Sequence, residues 1–227
     1  MKLYEVLLRK IGLWKDPADK PEKPQEDMIY NPIGCKVGDV LKIGVLDLRD
    51  CRFTVREILE YSIVLCGNKH RMVDYILDIN HADKRKLRIA PDPDSKSQAI
   101  YGALLLSLYD EFVYNEDLHA VVQDDTKKLV IDDETNPDNA IHEEFWRVND
   151  VGSSYKADVK KLVDIDGDGK ISEEEVKASS VEFWDYSRMT NVEGVEIEEF
   201  MIVEMDETGY FTLWRGSEVN PERISVF

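Results

Sequence analysis

The chain is short of cysteine, of basic residues and of long apolar runs, and each shortage excludes something. Its 227 residues include three cysteines, Cys35, Cys51 and Cys66. They are odd in number and contain no Cys-x-x-Cys pair, so neither a disulfide framework nor a paired-cysteine zinc site is encoded. A chain of this length builds a core without such staples, and buried free thiols in a reducing compartment are the expectation. Cys66 and His70 alone have a zinc-like spacing, with only Cys35 and Cys51 left to complete it.

No run of about 18 apolar residues occurs, so no membrane span is expected. Glycine-rich phosphate loops and nucleophile elbows are also missing. The four histidines, His70, His81, His119 and His142, are scattered. Asp117 and His119 lie close together in sequence, but carboxylates are too abundant here for any one of them to mark an acid–base pair. The expectation is a protein that is not an enzyme.

Basic residues number 29 against 47 acidic ones, which leaves a formal net charge of −18 and a sequence pI near 4.6. Such a field repels nucleic acid and anionic lipid, and it attracts cations and basic partners. With no address signal in the sequence, a cytoplasmic location is the default expectation.

What is present starts with a hydrophobic fraction of 43%, enough for a real core. Leu3, Tyr4, Leu7, Leu8, Ile11 and Trp14 recur at three and four, which predicts an amphipathic helix over 1–15. Glu5, Arg9 and Lys10 interrupt it as a secretion signal. Its apolar face is expected to meet the protein's own body or a subunit. Membrane contact through Lys2, Arg9, Lys10 and Lys15 is disfavoured by the acidity of the rest. Residues 16–29, rich in proline and charge, read as a linker.

Residues 30–150 read as a β-rich domain, with strand-like stretches RFTVREILEYSI, RMVDYILDI, KLRIA and LHAVV. SQAIYGALLLSLYDEF is ambiguous, and its length favours a helix bearing Ile100, Ala103, Leu104 and Leu108 on one face. From residue 181 to 227, VEFWDYSRM, EIEEFMIVEM and YFTLWRG are separated by TNVEG and DETG and predict an antiparallel meander. The aromatic residues Phe145, Trp146, Phe183, Trp184, Tyr186, Phe211 and Trp214 are assigned to packing.

Between these regions, 151–180 contains LVDIDGDGKISEEEVKASS. Asp164, Asp166 and Asp168 alternate, Gly169 allows a sharp turn, and Glu175 follows seven residues after Asp168. Calcium takes six to eight oxygens at about 2.3–2.6 Å, and alternate residues of a tight loop can supply them. Empty, these four carboxylates would repel one another. The stretch resembles the EF-hand family over its twelve-position loop. That resemblance implies ligation by Asp164, Asp166 and Asp168, by the backbone carbonyl of Lys170, by Ser172 through a water, and by Glu175 with both oxygens. It also implies an entering helix through Tyr155, Val159, Leu162 and Val163, and an exiting one capped by Ser172 and Glu175. Lys160 departs from the apolar residue usual before the loop, and no second loop matches. The plain alternative is a hairpin turn at DGDG with its aspartates solvated.

The expected fold is therefore α+β, mainly β, with antiparallel meanders, an N-terminal helix and one helix-loop-helix insertion. The expected function is non-catalytic calcium binding at a single site that orders or switches the adjacent β unit. The alternative is a protein-interaction module that meets a protein partner through meander edges, with calcium incidental.

Overall fold

A computed structural model describes residues 32–44, 52–65, 68–79, 83–91, 100–124, 127–133, 141–148, 154–163, 176–192 and 194–227. Two meanders of four strands each make its centre. The first is β2 (Arg52–Leu65), β3 (Asn68–Ile79), β4 (Asp83–Pro91) and β5 (Ile100–Phe112). The second is β8 (Tyr155–Val163), β9 (Val176–Val192), β10 (Val195–Asp206) and β11 (Phe211–Glu218). Every neighbour pair is antiparallel.

The meanders join first strand to first and last to last. β2 pairs with β8 (Tyr61 opposite Val159), and β5 pairs with β11 (Leu106 opposite Gly216). The result is a closed eight-stranded antiparallel barrel. Closure removes the open edges that a four-stranded meander would otherwise expose. Register slips in the β2·β3 ladder between Val55 and Glu57, and in the β11·β5 ladder between Leu213 and Trp214, bend the wall as bulges do.

Two flanges cover the outside. β1 (Val40–Ile43) pairs with the start of β2 and with β12 (Ile224–Val226). Their Leu41, Ile43, Ile224 and Val226 share a core with Val73, Tyr75, Leu87, Ile89 and Leu105 on the outer face of the first meander. On the other side β6 (Lys128–Asp133) pairs with β7 (Ile141–Arg147), and β7 pairs with β9. Leu129 and Phe145 pack with Trp184, Tyr186, Met201, Val203, Phe211 and Leu213 of the second meander. A short helix, α1 (Glu116–Gln123), joins this core through Val122.

Strand alternation assigns the remaining side chains to the lumen. Tyr61, Ile63, Ala157, Val159 and Phe183 form one interior cluster, and Leu106, Ile202 and Trp214 another. Many strands are thus buried on both faces, which is why they read as nearly continuous apolar runs.

Several expectations are corrected. The α+β class with a helix-loop-helix insertion does not hold, because the segments flanking 164–175 are strands β8 and β9, paired from Tyr155 opposite Phe183 to Leu162 opposite Val176. The physical reason is a period of two. Tyr155, Ala157 and Val159 turn inward while Lys156, Asp158 and Lys160 are exposed, which no helix can arrange. The stretch 100–112 is strand β5, not a helix, because Ala103 and Leu105 enter the outer core while Leu104, Leu106 and Leu108 line the lumen. LHAVV is helical, not extended. Asn115 caps it by accepting a hydrogen bond from Leu118 N, and Glu116 and Asp117 complement the dipole of the first turn. The meander predicted for 181–227 is β9, β10 and β11 as read, turned at Asp206–Gly209. There Asp206 Oδ1 accepts from Thr208 N and Tyr210 N, and Gly209 has a φ of 81°. The predicted helix over 1–15 and linker over 16–29 lie outside the described residues. No described helix is long and apolar enough to cross a membrane.

Candidate functional site

The most unusual chemistry of the molecule lies inside the barrel. β3 carries Asp74 between Val73 and Tyr75, and β4 carries Lys86 and Arg88 on either side of Leu87. β10 carries Glu204 beside Val203. In each case the apolar neighbours face the outer core, so alternation turns the charges inward. All four are buried, Asp74 and Lys86 completely.

They pair with one another. Arg88 donates through Nε to Asp74 Oδ1 and through Nη2 to Asp74 Oδ2, both at 2.8 Å, a bidentate fork. Its Nη2 also donates to Glu204 Oε1. Lys86 Nζ donates to Glu204 Oε1 at 2.6 Å and stands 3.1 Å from Asp74 Oδ2. Tyr61 OH donates to Asp74 Oδ2 at 3.1 Å, and Trp214 Nε1 donates to Glu204 Oε2 at 3.0 Å. Lys86 Nζ sits 4.3 Å from the centre of the Trp214 ring. The Arg88 guanidinium lies over Tyr61 and Phe183 at 5.4 and 5.5 Å.

Burial and pairing compete at each group. Burial pushes the Asp74 carboxyl up, but Arg88 and Lys86 outweigh it and hold it at about 2. Burial also works against charge on Arg88, where Asp74 and Glu204 prevail and raise it. For Lys86, burial and the neighbouring guanidinium lower the ammonium against the pull of both carboxylates. Burial, then Asp74 and Glu204, drives the Tyr61 phenol upward.

Asp185 of β9 joins from the opposite wall, between the outward Trp184 and Tyr186. Its residue is part-exposed, yet Oδ1 is sealed from solvent without a hydrogen-bond partner, as is Nη1 of Arg88. Within this cluster of described residues two cations and two carboxylates therefore balance, and one further carboxyl faces them.

The residues singled out from the sequence are placed differently. Asp164, Asp166, Asp168, Lys170, Ser172 and Glu175 all lie outside the described residues, as do Cys51, Cys66 and His81. Cys35 is buried in the outer core, where burial pushes its thiol up to about 12. His119 meets the Tyr114 hydroxyl at 3.2 Å, and His142 stands exposed between Asp132 and Glu144. Among the described residues no group of three or more His, Cys, Asp and Glu side chains is arranged to hold a metal ion. A shallow outer cleft of about 370 Å³ lies between Tyr114, Lys156, Glu182, Asp206 and Thr208.

The lumen network was missed from sequence because Asp74, Lys86, Arg88 and Glu204 each occupy the alternate position of a strand, which normally means water. The available signal was that the strands around them are apolar on both faces, as in LLLSL of β5. Compared with known proteins, the chain matches no family model, no curated protein and no solved structure.

Proposed function

We propose that the protein is a non-catalytic calcium-binding β-barrel, in which an ion held by 164–175 braces the hairpin that closes the barrel wall. The observation that carries this reading is a conjunction. The spacing of Asp164, Asp166, Asp168, Gly169 and Glu175 is that of a calcium loop, and the stretch joins β8 to β9. Its two ends are tethered by a ladder whose last rung among the described residues is Leu162 opposite Val176. Flanking helices are one way to hold the ends of such a loop, and a paired hairpin is another. β8 is also the strand that meets β2, so bracing it would act on barrel closure.

The ligands in this reading are Asp164, Asp166 and Asp168, the Lys170 carbonyl, Ser172 through a water, and Glu175. Calorimetric titration with calcium, alongside thermal melting, tests it. Binding to the native state raises the melting midpoint, and a double variant Asp164→Ala, Glu175→Ala should lose both heat and shift. An unchanged midpoint in saturating calcium overturns the reading.

A second reading is an interaction module, favoured by the outward face of the β6–β7 flange. Trp146 of β7 is 55% exposed and Val130 of β6 is 38% exposed there. Among the described residues β6 is terminal in the strand order, with β7 as its neighbour. A protein partner adding to this edge would protect the Trp146 indole, so Trp146→Ala should abolish its binding while calcium leaves that binding unchanged.

A further inference from the structure

Asp185 stands where β9 changes neighbour. Phe183 is paired with Tyr155 of β8 and Tyr186 with Arg147 of β7. Asp185 lies between these rungs, its carbonyl accepting from Val148 N at 3.0 Å. On this side of β9 the wall is a seam where, among the described residues, that hydrogen bond bridges the two ladders, while on the other side Asp185 stays paired with Ile202 of β10.

The side chain turns inward, towards charged groups on three other strands. β3 offers Asp74, β4 Lys86 and Arg88, and β10 Glu204, with the Tyr61 hydroxyl of β2 donating to Asp74. β7 brings Arg147, whose Nη2 donates to the Tyr186 hydroxyl at 3.0 Å and to the Val122 carbonyl on the outer side, while its Nε and Nη1 are buried with no partner among the described residues. Arg147 is not among the main charges that act on Asp185. Lys86 and Arg88 are already spent on Asp74 and Glu204. An ionised Asp185 would be a third carboxylate facing two cations, with one oxygen unsolvated and unpaired.

We propose that Asp185 is a proton-controlled latch in the barrel wall: as the neutral acid it completes a charge-balanced lumen, and on ionisation it leaves an unmatched negative charge that weakens the β9 seam. Burial raises its carboxyl from the ordinary 3.8 to about 6, with Arg88 pulling the other way without prevailing. The direction of the linkage follows. The native state holds this proton more tightly than the unfolded chain, so the contribution is whole below pH 3.8, is lost as pH rises to about 6, and is absent above. The change corresponds to about a hundredfold in the unfolding equilibrium constant, at tenfold per unit.

The test is chemical unfolding of the full chain from pH 4 to pH 7, wild type against Asp185→Asn, whose side chain keeps the shape and cannot ionise. Other carboxylates cancel in the difference. The wild type should lose about a hundredfold in stability relative to the variant over that range. A difference that stays constant with pH overturns the proposal. Should the variant fail to fold, the carbon-13 carboxyl resonance of Asp185 in the wild type decides. A titration midpoint near 6 supports the latch, and a midpoint at or below the ordinary 3.8 refutes it. Exchange protection of the Val148 amide, corrected for the intrinsic rate, should fall above the midpoint in the wild type and stay level in the variant.

Discussion

The two meanders of the barrel have the same number of strands and opposite electrical characters. The first contributes Asp74, Lys86 and Arg88 to the lumen, with a surplus of positive charge. The second contributes Glu204 and Asp185 with the Trp214 indole, and it is acidic. Neither half could close on an apolar mate without burying an unpaired charge, so each specifies the other. Outside, the order reverses. The cover of the first meander is an apolar cluster, whereas the second adds a ladder of Glu143, Arg188, Glu199 and Arg215 with contacts of 2.6–2.7 Å. The difference teaches where a charge matters. Inside the barrel, water cannot replace a lost partner, while at the part-exposed ladder it can.

The sharpest way to break the comparison is Glu204→Ala, which leaves Lys86 and Arg88 sharing one carboxylate across the lumen. Urea unfolding should show a loss of about 3–5 kcal/mol. Next comes Gly216→Ala on the rung that joins the two meanders. An added Cβ would lie 1.9 Å from the Leu105 carbonyl oxygen, which is backbone and cannot move aside. A loss of about 3 kcal/mol is expected, read as a lower melting midpoint. Acid supplies a third test. Asp74 is held at about 2, so its contribution is present above the ordinary 3.8 and is lost as pH falls through 2. About 2 kcal/mol should disappear over that window, and Asp74→Asn should flatten the profile. The smallest effect belongs to the outer ladder. Arg215→Ala should cost about 1 kcal/mol or less, diminishing in salt. If it costs as much as Glu204→Ala, the distinction between lumen and surface fails.

The sequence made the last three strands of the second meander, β9 to β11, readable because their turns carry their own chemistry, whereas β8 read as a helix. Asp206 and Gly209 announce a reversal, and the alternating aromatic residues Phe183, Trp184 and Tyr186 mark strand. β5 was not readable in the same way. With Leu104, Leu105 and Leu106 each buried on one side or the other, no polar face remained to show the period, and a helix fitted as well. The segment at α1 carried an honest helix signal in Asn115, Glu116 and Asp117, outweighed by the β-branched pair Val121 and Val122. The lumen charges were hidden by a rule that is sound for open sheets. An alternate polar position faces water unless the sheet curls shut, and closure depends on pairings such as β5 with β11 that no local pattern records.

The placement of the lumen pair also fixes when the fold can form. Lys86 and Glu204 are 118 residues apart in the chain. On a ribosome, the first four strands would emerge complete, with Lys86 and Arg88 sharing Asp74, long before their second counter-ion is synthesised. Closing the ring therefore waits until β8 to β11 have left the exit tunnel. A prematurely ended chain would display its unmatched cations on an open sheet, a plain mark by which quality control could recognise it.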